Sequence, residues 1–194
     1  MKLFNKWAKS YDKPLFQFWM RRFHAPVLEE LEFSNNNKIL DCGCGTGELL
    51  LNLKDKAVLN GKNLFGIDFS ENMLKEARKK LGKNVTLKKA DAHDLPFPDN
   101  YFDFVISTEA FHHYYNQSIV LREMKRVVKK KGKVLIVDIN FFLRPIHWLF
   151  EKFEPGCVKV NNRKEMKKLF QIAGLRKVKQ RRNFIFSVMT RGSK

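Results

Sequence analysis

Residues 39–50 read ILDCGCGTGELL, two cysteines and three glycines set between an apolar run and a leucine-rich one. Ile39 and Leu40 end a short apolar segment that follows the polar stretch Ser34–Asn37, and Leu49, Leu50, Leu51 and Leu53 come after the glycines. That order reads as strand, glycine-rich turn, helix. Glycine has no Cβ, so Gly43, Gly45 and Gly47 can take positive φ and let a ligand lie against bare backbone. A helix beginning near Thr46 would aim its free N–H groups at that ligand. A metal is not expected: a structural zinc site wants four ligands, commonly from C-x-x-C pairs, and Cys42 and Cys44 have only the distant Cys157 for company. The two cysteines read as small apolar residues packing a strand end.

The same alternation continues downstream. Leu64–Ile67 is a short strand ending at Asp68, and Ser70 can cap a helix carrying Met73, Leu74, Ala77 and Leu81 at helical spacing before Gly82. Val85–Leu87, Phe102–Ser107 and Lys133–Val137 read as further strands, with a helix over Ile119–Val128 before the last of them. Strands alternating with helices imply right-handed crossovers and a parallel sheet covered on both faces. The ending differs: a helix from about Asn162 to Ala173 precedes two runs, Leu175–Gln180 and Phe184–Thr190, too close in sequence to be parallel neighbours. They should form an antiparallel hairpin at the sheet edge. Residues 1–33 look helical and aromatic, with Pro14 opening one segment and Pro26 interrupting or starting another. The expectation is an α/β, Rossmann-like three-layer sandwich of residues 1–194 as one domain, with residues 1–33 as a helical cover. Ligands in such sheets bind at the carboxyl ends of the strands, where the chain order reverses.

With 194 residues and 44% hydrophobic content the chain is long enough to bury a core. Three cysteines do not suggest a disulfide framework, so a reducing, cytoplasmic setting is expected. Neither a signal peptide nor a transmembrane segment is expected, because the apolar run Val134–Leu143 is broken by Asp138 and Asn140. Net charge is +18 and lopsided: residues 117–194 hold 21 Lys and Arg against 5 Asp and Glu. Such asymmetry suits attraction to phosphate, RNA or an anionic membrane, and equally suits a solvated face.

The glycines narrow the ligand. In a dinucleotide fingerprint the third glycine would stand where Glu48 is, one residue after Gly47, although Asp68 sits at the spacing expected of a ribose acceptor. No Lys-Ser or Lys-Thr follows, so a P-loop is excluded. A nucleoside without phosphates and with a carboxylate tail suits the loop better.

The pieces ILDCGCGTG, GIDFSENML, ADAHDLPFPDNYFDFVIS, AFHHYYN, LREMKRVVKKKGKVLIVD and IAGL, in that order and spacing, resemble the class I S-adenosylmethionine-dependent methyltransferases, specifically the small-molecule, quinone and lipid type with a D-x-G-x-G-x-G loop. The resemblance runs from FNKWAKSYD to the terminal hairpin. It implies a seven-stranded, mostly parallel sheet with the last strand antiparallel and S-adenosylmethionine (SAM) across the carboxyl ends of the first strands. Asp41 would face the methionine ammonium, Gly43 and Gly45 would carry the methionine portion, and Asp68 would accept from the ribose hydroxyls. Phe69 and Met73 would flank the adenine, while Asp91 and the Ala92 N–H would bond its edge. Thr108 would lie near the sulfonium and Tyr11 would close over it. Where the acceptor must lose a proton, His113 is the candidate base, with His112 beside it; each can also be structural.

The acceptor is less legible. No N/D-P-P-Y/F sequence follows the fourth strand and no Pro-Cys pair is present, which argues against amino-group DNA and carbon-5 pyrimidine methylation. Residues 1–33 and the insert 141–160, aromatic and basic at Arg144 and Lys152, would build the acceptor site. The expected acceptor is a small-molecule, quinone-like or lipid-like compound. An RNA methyltransferase and a non-catalytic SAM-binding protein are the alternatives.

Overall fold

The apolar run ending at Cys42 becomes the middle of a seven-stranded sheet. The computed structural model describes residues 14–30, 34, 36–55, 61–141, 143–184 and 186–194. Its strands are β1 (Ile39–Cys42), β2 (Leu64–Asp68), β3 (Thr86–Lys89), β4 (Phe102–Thr108), β5 (Val128–Ile139), β6 (Arg176–Phe184) and β7 (Ser187–Ser193), in the order β3-β2-β1-β4-β5-β7-β6. β1 pairs in parallel with β2 on one side and β4 on the other, so the chain order reverses beside β1. β7 runs antiparallel to both β5 and β6, as the terminal hairpin required.

Both faces of the sheet are covered, and the side-chain alternation of β5 shows how. Val134 and Ile136 enter one core; Leu135, Val137 and Ile139 enter the other. The first core takes helices α4 (Gln117–Val127) and α6 (Arg163–Ile172); the second takes α1 (Pro14–Glu30), α2 (Glu48–Asp55) and α3 (Glu71–Leu81). Each Leu or Ile so enclosed stabilises the fold by roughly 1.5–3 kcal/mol. A further helix, α5 (Arg144–Phe153), occupies the insert after β5.

Several boundaries differ from the sequence reading: β3 is Thr86–Lys89 instead of Val85–Leu87, and Phe184, expected in the last strand, ends β6, so that β7 is Ser187–Ser193. Two further differences, and the fate of Pro26, have a local reason. α4 starts two residues earlier, at Gln117, because the Asn116 side chain accepts the Ile119 N–H and caps it. β5 starts at Val128, so the basic run 129–133 lies within its first half, not ahead of it; Lys129 is drawn in by the Asp103 carboxylate at 2.9 Å. Pro26 does not break α1. It has no N–H to donate to the Arg22 carbonyl, and that carbonyl instead accepts from Asn183 Nδ2 at 3.1 Å. Residues 1–13, including Tyr11, lie outside the described residues, so the expected closure by Tyr11 does too.

Gly66, in the middle of β2, lets α2 sit directly on the sheet. A Cβ there would stand 2.8 Å from Leu50 Cδ1 and Leu87 Cδ2 and 2.9 Å from Cys44 Sγ. Gly66→Ala should therefore destabilise the protein by about 1–3 kcal/mol, the usual cost of overpacking. Urea unfolding should show the midpoint falling with its slope unchanged. An unmoved midpoint would mean that α2 does not seat this closely.

Candidate active site

The loop leaving β1 is pinned to the neighbouring strand before it reaches α2. Gly43 N and Cys44 N both donate to the Ile67 carbonyl at 2.9 Å, and Gly45 N donates to Asp68 Oδ2 at 2.9 Å. The other Asp68 oxygen accepts the Ser70 N–H at 2.8 Å, and Ser70 in turn caps α3. One carboxylate thus holds the loop and the start of a helix together. Gly43 has φ +77°, and a Cβ there would be 2.7 Å from Ala110 Cβ and 2.9 Å from the Tyr114 hydroxyl. Gly45, at φ +50°, faces open space where a Cβ would point. The close approach at Gly43 and the bare backbone at Gly45 together form the floor of a cavity of about 380 Å³ at the carboxyl ends of β1, β2 and β4.

Ten of the residues singled out from the sequence line that cavity: Asp41, Gly43, Gly45, Asp68, Phe69, Met73, Asp91, Ala92, Thr108 and His113. Its electrostatics are dominated by two acids. Asp41 is 1% exposed, and its Oδ1 has no hydrogen-bond partner among the described residues. Burial, reinforced by the nearby Asp68 charge, pushes its carboxyl up to about 8. Asp68 is also raised by burial, against the pull of the N–H donors of Ser70, Gly45 and Phe69. A buried, unpaired acid next to a second acid is costly unless a cation arrives. SAM carries two positive centres, an ammonium and a sulfonium, and its ribose needs acceptors, so this pair of carboxylates fits it. Cys42 and Cys44 are buried thiols with pKa values pushed well up by that burial, which suits packing.

Toward the edge of the cavity Phe69 is 51% exposed, an unusual placement for a phenylalanine and one that leaves its ring available to a flat ligand. Asp91 Oδ1 accepts from His93 N at 2.9 Å and meets His93 Nδ1 at 2.5 Å, and Tyr115 stacks on the His93 ring at 3.6 Å. The carboxylate of Asp91 is therefore shared with a residue that the sequence did not single out.

On the far side, beyond β4, the two adjacent histidines part company. His112 is 1% exposed and outside the cavity wall; its Nδ1 lies 2.6 Å from Asp138 Oδ1. Burial opposes its charge, but Asp138, then Glu109 and Glu154, outweigh burial and raise its pKa. His113 faces the cavity. Its Nδ1 meets the Gly156 carbonyl at 2.9 Å, which must accept, so the hydrogen sits on Nδ1 and the lone pair on Nε2. Burial first and the charge of His112 second lower the pKa of His113 to about 4.

Several wall residues escaped the sequence reading. His24 comes from α1, is buried, and has its pKa lowered to about 4 by that burial; Asn52 Nδ2 lies 3.3 Å from its Nδ1. Glu109 holds φ +51°, a conformation that non-glycine residues seldom take, secured by its N–H donating to the Val137 carbonyl at 2.9 Å. Tyr114 donates its hydroxyl hydrogen to the Cys42 carbonyl at 3.0 Å. Tyr114 and Tyr115 sit inside the AFHHYYN stretch, and Glu109 stands just past the fourth strand, where the sequence places the ligand end of the sheet; for His24 no pattern in the chain gave a signal.

Comparison with known proteins agrees with this geometry. The family described as "Methyltransferase domain" matches residues 40–136. A demethylmenaquinone methyltransferase of Staphylococcus carnosus is 30% identical, over 91% of this chain and 85% of its own length. The chain spans about three fifths of further relatives of that name. Among solved structures, the methyltransferase in complex with the Haloferax volcanii Trm112 activator shares the fold at a TM-score of 0.82 and 21% identity, covering 98% of this chain and 97% of that one. A SAM-dependent methyltransferase of Aquifex aeolicus aligns at 0.76 and 25% identity over 97% of each chain. The chain belongs to the SAM-dependent methyltransferase family, with SAM as its cofactor.

Proposed function

We propose that the chain methylates a small, quinone-like or lipid-like acceptor whose reacting ring sits between Thr108, Ala110 and His113. The observation that carries this reading is the 380 Å³ cavity itself, mostly apolar in its lining, with the buried Asp41 in its wall whose Oδ1 has no hydrogen-bond partner among the described residues. The basic run 129–133, which would serve a polynucleotide, lies at the amino end of β5 and so at the opposite end of the sheet. The 30% identical relative named for a quinone substrate points the same way.

In this reading Asp41 takes the ammonium, Gly43 and Gly45 support the methionine portion, and Asp68 accepts from the ribose. Phe69 and Met73 hold the adenine, with Asp91 and the Ala92 N–H at its edge. Thr108 lies beside the sulfonium. When bound, the cofactor supplies an electrophilic methyl group on a leaving group that departs as a neutral thioether. The protein's own contribution is to orient and to exclude water. His113 offers its Nε2 lone pair to an acceptor hydroxyl. With a pKa near 4 it rests neutral in the neutral range; as the methyl bonds to the acceptor oxygen, the hydroxyl proton passes to Nε2 and from there to water. Burial first and His112, which Asp138 holds, second keep His113 uncharged at rest.

Methyl transfer from labelled SAM, offered a demethylated quinol, total RNA and water-soluble phenols, should place label in the quinol. Label in RNA alone, or in nothing despite tight SAM binding, would overturn the reading. His113→Ala should lower kcat by about ten- to a hundredfold while leaving SAM affinity unchanged.

Asp68→Ala should weaken SAM binding by roughly 1.5–3 kcal/mol in calorimetry, with NAD failing to bind the wild type. Because Asp68 also holds Gly45 N and Ser70 N, thermal stability should fall as well. Equal SAM affinity in both proteins would remove the assignment.

Asp41 gives a pH signature. An acid whose pKa rises from 3.8 to about 8 on folding binds more protons folded than unfolded between those values. The ligand-free protein should therefore lose stability as pH climbs through that window. Asp41→Asn should abolish the loss and stabilise the ligand-free protein by roughly 2–4 kcal/mol near neutrality, yet weaken SAM binding. Denaturation series at several pH values decide it; identical slopes in wild type and variant would refute the buried, unpaired acid.

A further inference from the structure

The helix α5 is built inside out for a surface helix. Its inner face is fully committed: His147 Nε2 accepts from Phe141 N at 2.8 Å, Phe150 lies 5.3 Å from the Phe141 ring, and Glu151 accepts from Val160 N at 2.7 Å. Its outer face should be polar and is not. Ile146, Trp148, Leu149 and Phe153 all stand exposed on it, at 60% for Trp148 and 68% for Phe153, and Leu143 and Val158 extend the same surface at either end. Those six are the majority of the nine large apolar residues exposed among the described residues. Single exposed apolar residues need no explanation, but a contiguous group on one short helix marks an interaction surface.

We propose that α5 docks flat on an anionic lipid bilayer, with Trp148, Leu149 and Phe153 entering the headgroup region. Ten residues are too few to cross a membrane, and among the described residues no helix is long and apolar enough to do so, which leaves lying on the surface as the mode. The flanking charge fits that partner. Lys152 lies along the patch, its Nζ 5.1 Å from the Trp148 ring and 5.9 Å from that of Phe153, from where it reaches headgroup depth. At the base of the helix, the Phe186 ring packs 5.5 Å from Phe141, and Asn183, three residues earlier, donates to the Arg22 carbonyl at 3.1 Å. A net charge of +18 adds a long-range pull toward anionic lipid. Trp and Phe bring large rigid apolar area to such an interface, and the indole N–H remains able to face water.

Co-sedimentation of the full chain with vesicles tests this, comparing equimolar phosphatidylglycerol and phosphatidylcholine with phosphatidylcholine alone. Binding should favour the anionic vesicles. It should drop by more than about tenfold in the double variant Trp148→Ser, Phe153→Ser, because two large apolar groups leave the interface. Lys152→Glu should weaken binding to the anionic vesicles only. These positions are exposed, so melting temperature and SAM affinity should hold in every variant and separate lost docking from lost folding or a lost cofactor site. No binding to either vesicle at low salt would overturn the proposal. So would binding that the double variant retains, since that would be attraction by charge alone. Concentration-dependent self-association that the same variant abolishes would show that a second copy covers the patch instead, and would overturn it equally.

Discussion

The chemistry of this site rests on two carboxylates held close together where water is scarce. Asp68 ends β2 and Asp41 is the penultimate residue of the parallel β1, and the register Asp41↔Gly66 and Cys42↔Ile67 puts them near neighbouring strand ends without any choice by the loops. Such a pairing works against the folded state by itself. It is tolerated because Asp68 is fed by backbone N–H groups from two directions, whereas Asp41 is left as the acid that bears the strain. Stability is given up at one buried atom so that a cationic ligand can restore it, the trade-off expected where function and folding compete for the same residue. The glycines then make sense as geometry: backbone must pass close to Ala110 at Gly43, and must leave room at Gly45.

The acceptor side is organised by a different element, the insert that follows β5. His113 takes its orientation from the Gly156 carbonyl, while the His112 carbonyl accepts from both Val158 N and Lys159 N. Two consecutive histidines are therefore clamped by the same four residues of chain, 156–159, one through its ring and one through its backbone. Asp138, at the end of β5, completes the clamp by holding the His112 ring. The ring facing the cavity is kept neutral first by its own burial and second by its neighbour, whose pKa Asp138 raises.

What the sequence revealed and what it hid follow the range of the interactions involved. The turn out of β1, the cap of α3 at Ser70 and the start of α6 at Asn162 are local, and composition with spacing exposes them. The ligand end of the sheet was legible because strand ends carried Asp41, Asp68, Asp91 and Thr108 in a repeating pattern. Contacts spanning the chain left no trace. Nothing near Pro26 announces that Asn183 will satisfy the carbonyl which proline leaves open, and nothing near His24 announces that its helix will reach the cavity. Asp68 was read as a ligand group alone because its second duty, holding Gly45 N, joins residues 23 apart. The early start of β5 was hidden for the same reason, since Lys129 looks like a solvated lysine until Asp103 is placed beside it.

Cavity size connects the two halves of the molecule. A volume of about 380 Å³ lies near the lower end for small-molecule sites, room for a nucleoside with its amino-acid tail and the edge of one ring. An acceptor with a long apolar tail cannot be enclosed there. Were its tail to leave past His113, it would meet the chain that fixes His113 at Gly156, which begins three residues after the end of α5. The apolar outer face of that helix is thus one short loop from the point where a tail would emerge. A tail that stays in an apolar phase as its ring enters the cavity avoids the cost of hydrating it, at roughly 0.8 kcal/mol for each methylene. For a lipid-like acceptor, that saving grows with tail length and soon exceeds any single contact the cavity can make.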